Sequence, residues 1–119
     1  MVTSIHSLGG RRDRRVESVS LELIGIRSGP RVFAVRVPDD SLRAAALLPG
    51  DVVICEHGVT PRSGEVVAAL VDGVSVLRIW SMQSGRPVLR CPDGQTPPVN
   101  ASELVIQGVA VQVVRSRQS

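Results

Sequence analysis

The chain has 119 residues, 43% of them hydrophobic, and a formal net charge of +3. This length fits one domain with a modest core and excludes two well-developed domains. No apolar run approaches the roughly 20 residues of a membrane-spanning helix, and the first ten residues lack the apolar stretch of a secretory signal, so we expect a soluble cytoplasmic protein.

Positive charge is concentrated at the ends of the chain. All 14 basic residues are arginine, and the chain contains no lysine. Residues 1–18 have no apolar periodicity, so we predict a basic flexible arm, followed by a single β domain over residues 19–117. The arm is typical of a solubilising tail; contact with nucleic-acid phosphates or an acidic partner is the alternative. Its clustered arginines are Arg11, Arg12, Arg14 and Arg15.

Short β-branched runs separated by turn residues predict a mostly β fold, a barrel or sandwich with one short helix. Asp72-Gly73 predicts a tight hairpin turn, and Gly108 predicts a bulge or bend within the last strand. The predicted strands cover residues 19–26, 31–37, 51–55, 65–71, 74–80, 87–91 and 103–114.

The segment DDSLRAAALL, which follows Pro38, predicts one or two helical turns. Pro49-Gly50 ends them. Asp39 and Asp40 stand together at the start of this helix, where carboxylates usually cap the helix and compensate its dipole. We favour this interpretation over a pair of catalytic carboxylates.

The cysteines and histidines give no support for a metal site or a cofactor. Cys55 and Cys91 lie far apart in strand-like runs, which favours buried free thiols over a disulfide. His6 and His57 have no metal-ligand spacing with each other or with the cysteines. No phosphate-binding loop, dinucleotide fingerprint or zinc-peptidase motif is present. We therefore predict no metal and no cofactor.

The order of the segments resembles a family of self-cleaving peptidases. In order, the chain has a strand, a turn bearing Ser41, a short helix, PGDVVI, then GEVVAALVDGVSVLRI and a closing LVIQGVAVQVVR. This order is similar to that of the C-terminal domain of LexA repressors and the related UmuD proteins. The resemblance covers about residues 31–117. It implies a LexA-like β-rich fold, in which a serine after the first strand attacks a peptide bond of the same or a partner chain.

The resemblance assigns Ser41 to the nucleophile and Leu77 to the position of the base. In this family a buried neutral lysine takes the proton of the serine, but VSVLRI has leucine there. Leucine has no lone pair, and the adjacent Arg78 keeps its proton at physiological pH. We therefore expect a non-catalytic domain. The alternative is an active autopeptidase whose base is His57 or a lysine supplied by an assembly.

Two neighbouring features also depart from the family pattern. The family more often has Gly before the serine and Met after it, whereas this chain has DDSL, where the carboxylate of Asp40 would oppose a developing oxyanion. The family cleaves itself between a small residue and glycine, and Ser28-Gly29 echoes such a bond. Only the 11 residues 30–40 separate Gly29 from Ser41, so we favour a tight turn there over a functional cleavage site.

The last predicted strand is long and apolar, and at a sheet edge it would invite pairing with another chain. The resemblance also implies dimerisation through the C-terminal part. We expect a homodimer, or a heterodimer with a catalytic relative, within a DNA-damage (SOS) or repressor-type circuit; a strand buried in the barrel, or a regulatory role unrelated to DNA damage, is the alternative. The predicted interface residues are Val105, Ile106, Val109, Val111 and Val113.

Overall fold

The computed structural model describes residues 15–20, 31–101 and 104–115. In these ranges eight strands form one open sheet, curled into a half-barrel, and one short 3-10 helix (Asp40–Ala45) follows the second strand. The predicted mostly β class is confirmed. The strands are β1 (Glu17–Val19), β2 (Val32–Arg36), β3 (Val52–Glu56), β4 (Val66–Val71), β5 (Val74–Gln83), β6 (Arg86–Arg90), β7 (Val99–Asn100) and β8 (Val105–Val114).

The sheet is antiparallel throughout, in the order β1-β2-β3-β8-β4-β5-β6-β7. The turn between β4 and β5 is the predicted hairpin. Asp72 and Gly73 both have positive φ, 51° and 79°, which is the requirement of the tight turn that matches strand twist.

The N-terminal predictions are only partly covered by the described residues. Of the strand expected over 19–26, only Val19 lies in a described strand, β1 (Glu17–Val19), and Ser20 is not in a strand. Residues 21–26 lie in the undescribed range 21–30, as do Ser28 and Gly29. Arg11, Arg12 and Arg14 also lie outside the described residues, while Arg15 is exposed. No helix in the described ranges is long and apolar enough to cross a membrane.

Strand β8 lies inside the sheet, so the expectation that it forms a sheet edge is wrong. Val105–Val109 pair with β4, and Val109–Val114 pair with β3. Each half of the strand nevertheless has one neighbour over most of its length, and only Gly108 and Val109 are buried in it. The change of neighbour occurs next to Gly108, where the register leaves Gln107 unpaired with β4 and so confirms the predicted bulge.

Gly108 is required by close packing at this bulge. A Cβ atom at this position would lie 2.7 Å from Cε1 of Phe33 and 2.9 Å from the carbonyl oxygen of Glu56. The oxygen belongs to the backbone of β3, so it cannot move aside independently of the sheet. The bend in β8 therefore depends on the missing side chain.

We expect Gly108→Ala to lower the free energy of unfolding by about 1–3 kcal/mol, the usual effect of overpacking. Urea denaturation measures the change. Phe33→Leu in the Gly108→Ala background removes the ring that the new methyl meets, so it should recover part of the loss. Equal unfolding midpoints for Gly108→Ala and the unmodified chain would contradict the packing argument.

The core consists of three apolar clusters on the two faces of the sheet. The largest holds the side chains that lie beneath the serine-bearing turn; its buried members are Val16, Val35, Val37, Leu42, Leu47, Val53, Cys55, Ala68 and Leu77. A second cluster, around Leu89, lies under the β4–β5–β6 part of the sheet. The third lies around Ile54.

Candidate functional site

Ser41 lies in the 3-10 helix between β2 and β3. Asp39 has extended backbone (φ −158°) and caps this helix, with its Oδ1 accepting a hydrogen bond of 3.0 Å from the N–H of Ser41. Ala46 ends the helix in the left-handed region (φ 66°), and its N–H donates to the carbonyl oxygen of Arg43 at 2.8 Å. The predicted short helix is confirmed, in the tighter 3-10 form that occurs in short runs, here interrupted by a kink at Leu42 (φ −106°, ψ 15°).

The two adjacent aspartates have different partners. The Oδ1 of Asp40 accepts from Nη2 of Arg43 at 2.8 Å in an exposed ion pair. The carboxylate that faces the N–H of Ser41 is that of Asp39. The i, i+3 spacing brings Asp40 to Arg43, so its carboxylate does not face the serine as the expectation for Asp40 required.

The serine turn, which we define as residues 38–51, packs against the end of β6. Ser41 is 7% exposed, and its carbonyl oxygen lies 3.6 Å from Sγ of the buried Cys91. Cys91 directly follows Arg90, which pairs with Ile79 of β5. The turn thus reaches the part of the sheet where β5 carries position 77.

Leu77 is 1% exposed and belongs to the same apolar cluster as Leu42, the residue after Ser41. It pairs with Ala68 of β4. The structure therefore places Ser41 and Leu77 around one shared core.

Arg78 is buried, and its Nη1 donates to the carbonyl oxygen of Leu77 at 2.8 Å. In register it pairs with Val67, whose side chain belongs to the second cluster, on the other face of the sheet. Arg78 therefore does not point into the apolar core that the serine turn covers.

His57 lies at the opposite end of β3 from the serine turn. Its Nδ1 is 2.7 Å from the carbonyl oxygen of Gln107, and its ring stacks on Phe33 with centroids 4.6 Å apart. The serine turn joins the other end of the strand, where the N–H of Val37 donates to the carbonyl oxygen of Asp51. Five residues of β3 separate these ends, roughly 16 Å at about 3.3 Å per residue. The structure does not bring His57 to Ser41.

A carboxylate closes the far end of the serine turn. Asp51 accepts hydrogen bonds from Nε and Nη2 of Arg115, at 2.8 and 2.7 Å, and from the N–H of Leu48 at 2.8 Å. Nη2 of Arg115 also donates to the carbonyl oxygen of Ala46 at 3.0 Å. These groups form what we call the Asp51 clamp. The hydrogen bond from Arg115 lowers the pKa of the Asp51 carboxyl, against the opposing effect of its burial.

The thiols show no sign of nucleophilic or metal chemistry. Both cysteines are free and buried, and burial raises the pKa of Cys55 to about 12, so that thiol stays protonated. Among the described residues, no group of three or more His, Cys, Asp or Glu side chains is placed to hold a metal ion.

Comparison with known proteins decides the family. The model of the Peptidase S24-like family matches residues 9–111. The chain belongs to this family. The resemblance inferred from the order of motifs is thereby confirmed.

Several LexA repressors are similar to this S24-like chain. The LexA repressor of Verrucomicrobium spinosum is 36% identical over 99 residues, which cover 82% of this chain and 48% of that protein. LexA repressor 1 of Nocardia farcinica is 31% identical over 84 residues, 71% of this chain and 39% of that protein. The LexA repressor of Leptospira biflexa is 28% identical over 86 residues, covering 72% and 43%. The chain spans less than half the length of these curated relatives.

Proposed function

We propose that this S24-like domain is a non-catalytic binding module in an SOS-response or repressor-type circuit. The observation that carries the proposal is Leu77, which stands where the family resemblance expects the lysine base and is almost fully buried among apolar side chains. Because the sequence contains no lysine, no other alignment of the segment supplies a lysine of the chain itself.

The surroundings of Ser41 support this proposal. A serine hydroxyl is a weak nucleophile until a neighbouring base accepts its proton. The histidine considered as a base, His57, contacts the carbonyl oxygen of Gln107 of β8 at the far end of β3. Oδ1 of Asp39 accepts a hydrogen bond from the backbone N–H of Ser41. Ser41 is then a remnant of the nucleophile position that now has a structural part in the turn.

An intact-mass time course on the purified protein, from neutral to alkaline pH, tests the loss of catalysis. We expect the mass of the unmodified chain to stay constant, as should the mass of Ser41→Ala, because no base activates the hydroxyl. Truncation of the unmodified chain, with Ser41→Ala stable, would show an active serine autopeptidase and overturn the proposal.

The C-terminal half of β8 is the surface that we propose for dimerisation. Its register with β4 ends at Val109, so the residues beyond it pair with β3 on one side. In this half Val111 and Val113 are 53% and 42% exposed, whereas Val109 is a core residue. The same half-strand of a second copy could pair with it antiparallel about a two-fold axis. Among the predicted interface residues, this geometry favours Val111 and Val113.

We expect Val111→Glu or Val113→Glu to weaken the dimer about tenfold or more, since each places a charge in an apolar contact. Sedimentation equilibrium measures the dissociation constant. Val105→Glu is the matched control, because Val105 is also an exposed valine (60%) but lies at the other end of β8, beside β4. Equal weakening by the control, or a monomeric unmodified protein, would contradict this surface. Sedimentation of a mixture with a catalytic relative distinguishes a heterodimer from a homodimer.

The remaining partners and the location are part of the same proposal. A regulator of this family would act in the cytoplasm, and contact with DNA would be limited to phosphate binding by the arginine arm. Such contact would weaken steeply with salt.

A further inference from the structure

The backbone N–H of Ser41 already has an anionic acceptor. Oδ1 of Asp39 lies 3.0 Å from this nitrogen, in a partly buried position. In serine peptidases the tetrahedral intermediate carries a negative oxygen, which backbone N–H groups stabilise, often including the N–H of the nucleophilic serine itself. The carboxylate of Asp39 therefore sits where such an oxygen would bind.

The neighbouring carboxylate shows that this placement is selective. Asp40 carries the same charge one residue closer to Ser41, yet it pairs with Arg43 in solvent. Only Asp39 directs its charge at the serine N–H. A negative group held in this place repels a developing oxyanion, and the repulsion is strong where water is partly excluded.

We infer that Asp39 is a second, built-in block of this serine site, independent of the missing base. The inference rests on the proposed loss of catalysis and adds to it: supplying an amine at position 77 leaves the oxyanion position filled. The site would need both Leu77→Lys and the removal of the Asp39 charge in order to react.

Helix capping and blocking can be separated experimentally. Asparagine caps a helix about as well as aspartate, so Asp39→Asn preserves the helix. Its neutral amide oxygen is a weaker acceptor than a carboxylate, so it yields the Ser41 N–H to an incoming negative oxygen. Asp40→Asn removes the same charge one residue away and is the matched control.

The probe is a fluorophosphonate, a reagent that phosphonylates activated serines. The Oγ of Ser41 bonds to phosphorus, the P–F bond breaks, fluoride leaves, and the introduced amine at position 77 takes the hydroxyl proton. During the attack the phosphoryl oxygen needs the Ser41 N–H. Labelling is followed by intact mass at about pH 10, where the introduced amine is largely neutral because burial at position 77 lowers its pKa.

In the Leu77→Lys background, we expect Asp39→Asn to speed labelling about tenfold or more, and Asp40→Asn to leave the rate unchanged. Equal rates in the two variants, including no labelling of either, would overturn the inference. Labelling of the unmodified chain at Ser41 would instead overturn the proposed function, and the same two substitutions would then be compared without Leu77→Lys.

A measurement on the leucine-containing chain keeps the inference testable should Leu77→Lys fail to fold. Asp39→Ala should accelerate hydrogen exchange at the Ser41 amide, observed by NMR, whereas Asp40→Ala should not. Equal exchange in these two variants would show that Asp39 does not occupy the Ser41 N–H in solution, and would overturn the inference.

Discussion

Leu77→Lys is expected to lower the free energy of unfolding by about 3–5 kcal/mol at pH 7 and to regain most of this loss near pH 10. Position 77 is 1% exposed and is surrounded by apolar side chains. An amine there is desolvated, and desolvation disfavours its charged form, which lowers the pKa of a buried lysine by up to about 3–5 units. Each unit corresponds to about 1.4 kcal/mol.

The direction of the pH effect follows from proton binding. In the unfolded chain the introduced amine has its ordinary pKa of about 10.4, whereas in the folded chain its pKa is lower. Between these two values the unfolded state binds more protons, so stability increases with pH. Above the unfolded pKa both states are neutral, and the remaining difference reflects packing alone.

Urea unfolding at pH 7 and pH 10 measures this effect, with Leu77→Met as the matched control. Methionine has a similar unbranched chain without the amine, so it should cost less than about 1.5 kcal/mol at either pH. A Leu77→Lys chain whose stability matches Leu77→Met at pH 7 would contradict the placement of this side chain in the core. The expected loss of stability in Leu77→Lys shows what the leucine contributes. It stabilises the folded chain at a position where a peptidase must tolerate a buried neutral amine.

The sequence predicted the features that are encoded locally. β2, β3, β4 and β5 follow from β-branched runs, and the Asp72-Gly73 turn follows from the need for positive φ at two consecutive residues. Position 77 and Ser41 were found through the order of motifs along the chain. β7 was missed because it has only two residues and follows two prolines.

Features that depend on distant pairing were not predictable. The central place of β8 depends on which strands it joins, and a single strand sequence does not distinguish an apolar edge from an apolar centre. The contact between Cys91 and Ser41 spans 50 positions, and the Asp51 clamp joins residues 64 positions apart. The roles of Asp39 and Asp40 could be separated only once the side-chain geometry was known.

Asp51→Ala is expected to lower the free energy of unfolding by about 2–4 kcal/mol near neutral pH. The carboxylate is almost fully buried and accepts three hydrogen bonds, two of them from the guanidinium of Arg115. Alanine leaves the N–H of Leu48 without this acceptor inside the turn. Arg115 is half exposed and can regain water, which limits the loss.

The difference between the unmodified chain and Asp51→Ala should depend on pH. The pKa of Asp51 in the folded chain is lowered from its ordinary 3.8, so its stabilising effect is complete above that pH. As the pH falls below 3.8, through the lowered pKa, the folded carboxylate takes up a proton and the effect is lost. Unfolding curves of the two proteins should therefore converge in acid and separate towards neutral pH.

Arg43→Ala provides the matched control, because it breaks the exposed pair with Asp40 in the same turn. Exposed pairs contribute about 0–1 kcal/mol, so this variant should remain close to the unmodified chain at every pH. Equal losses for Arg43→Ala and Asp51→Ala would mean that the clamp is no stronger than a surface ion pair. The larger loss expected for Asp51→Ala has a structural consequence. Arg115 directly follows β8, so the clamp ties the end of the proposed dimer strand to the turn that holds Ser41.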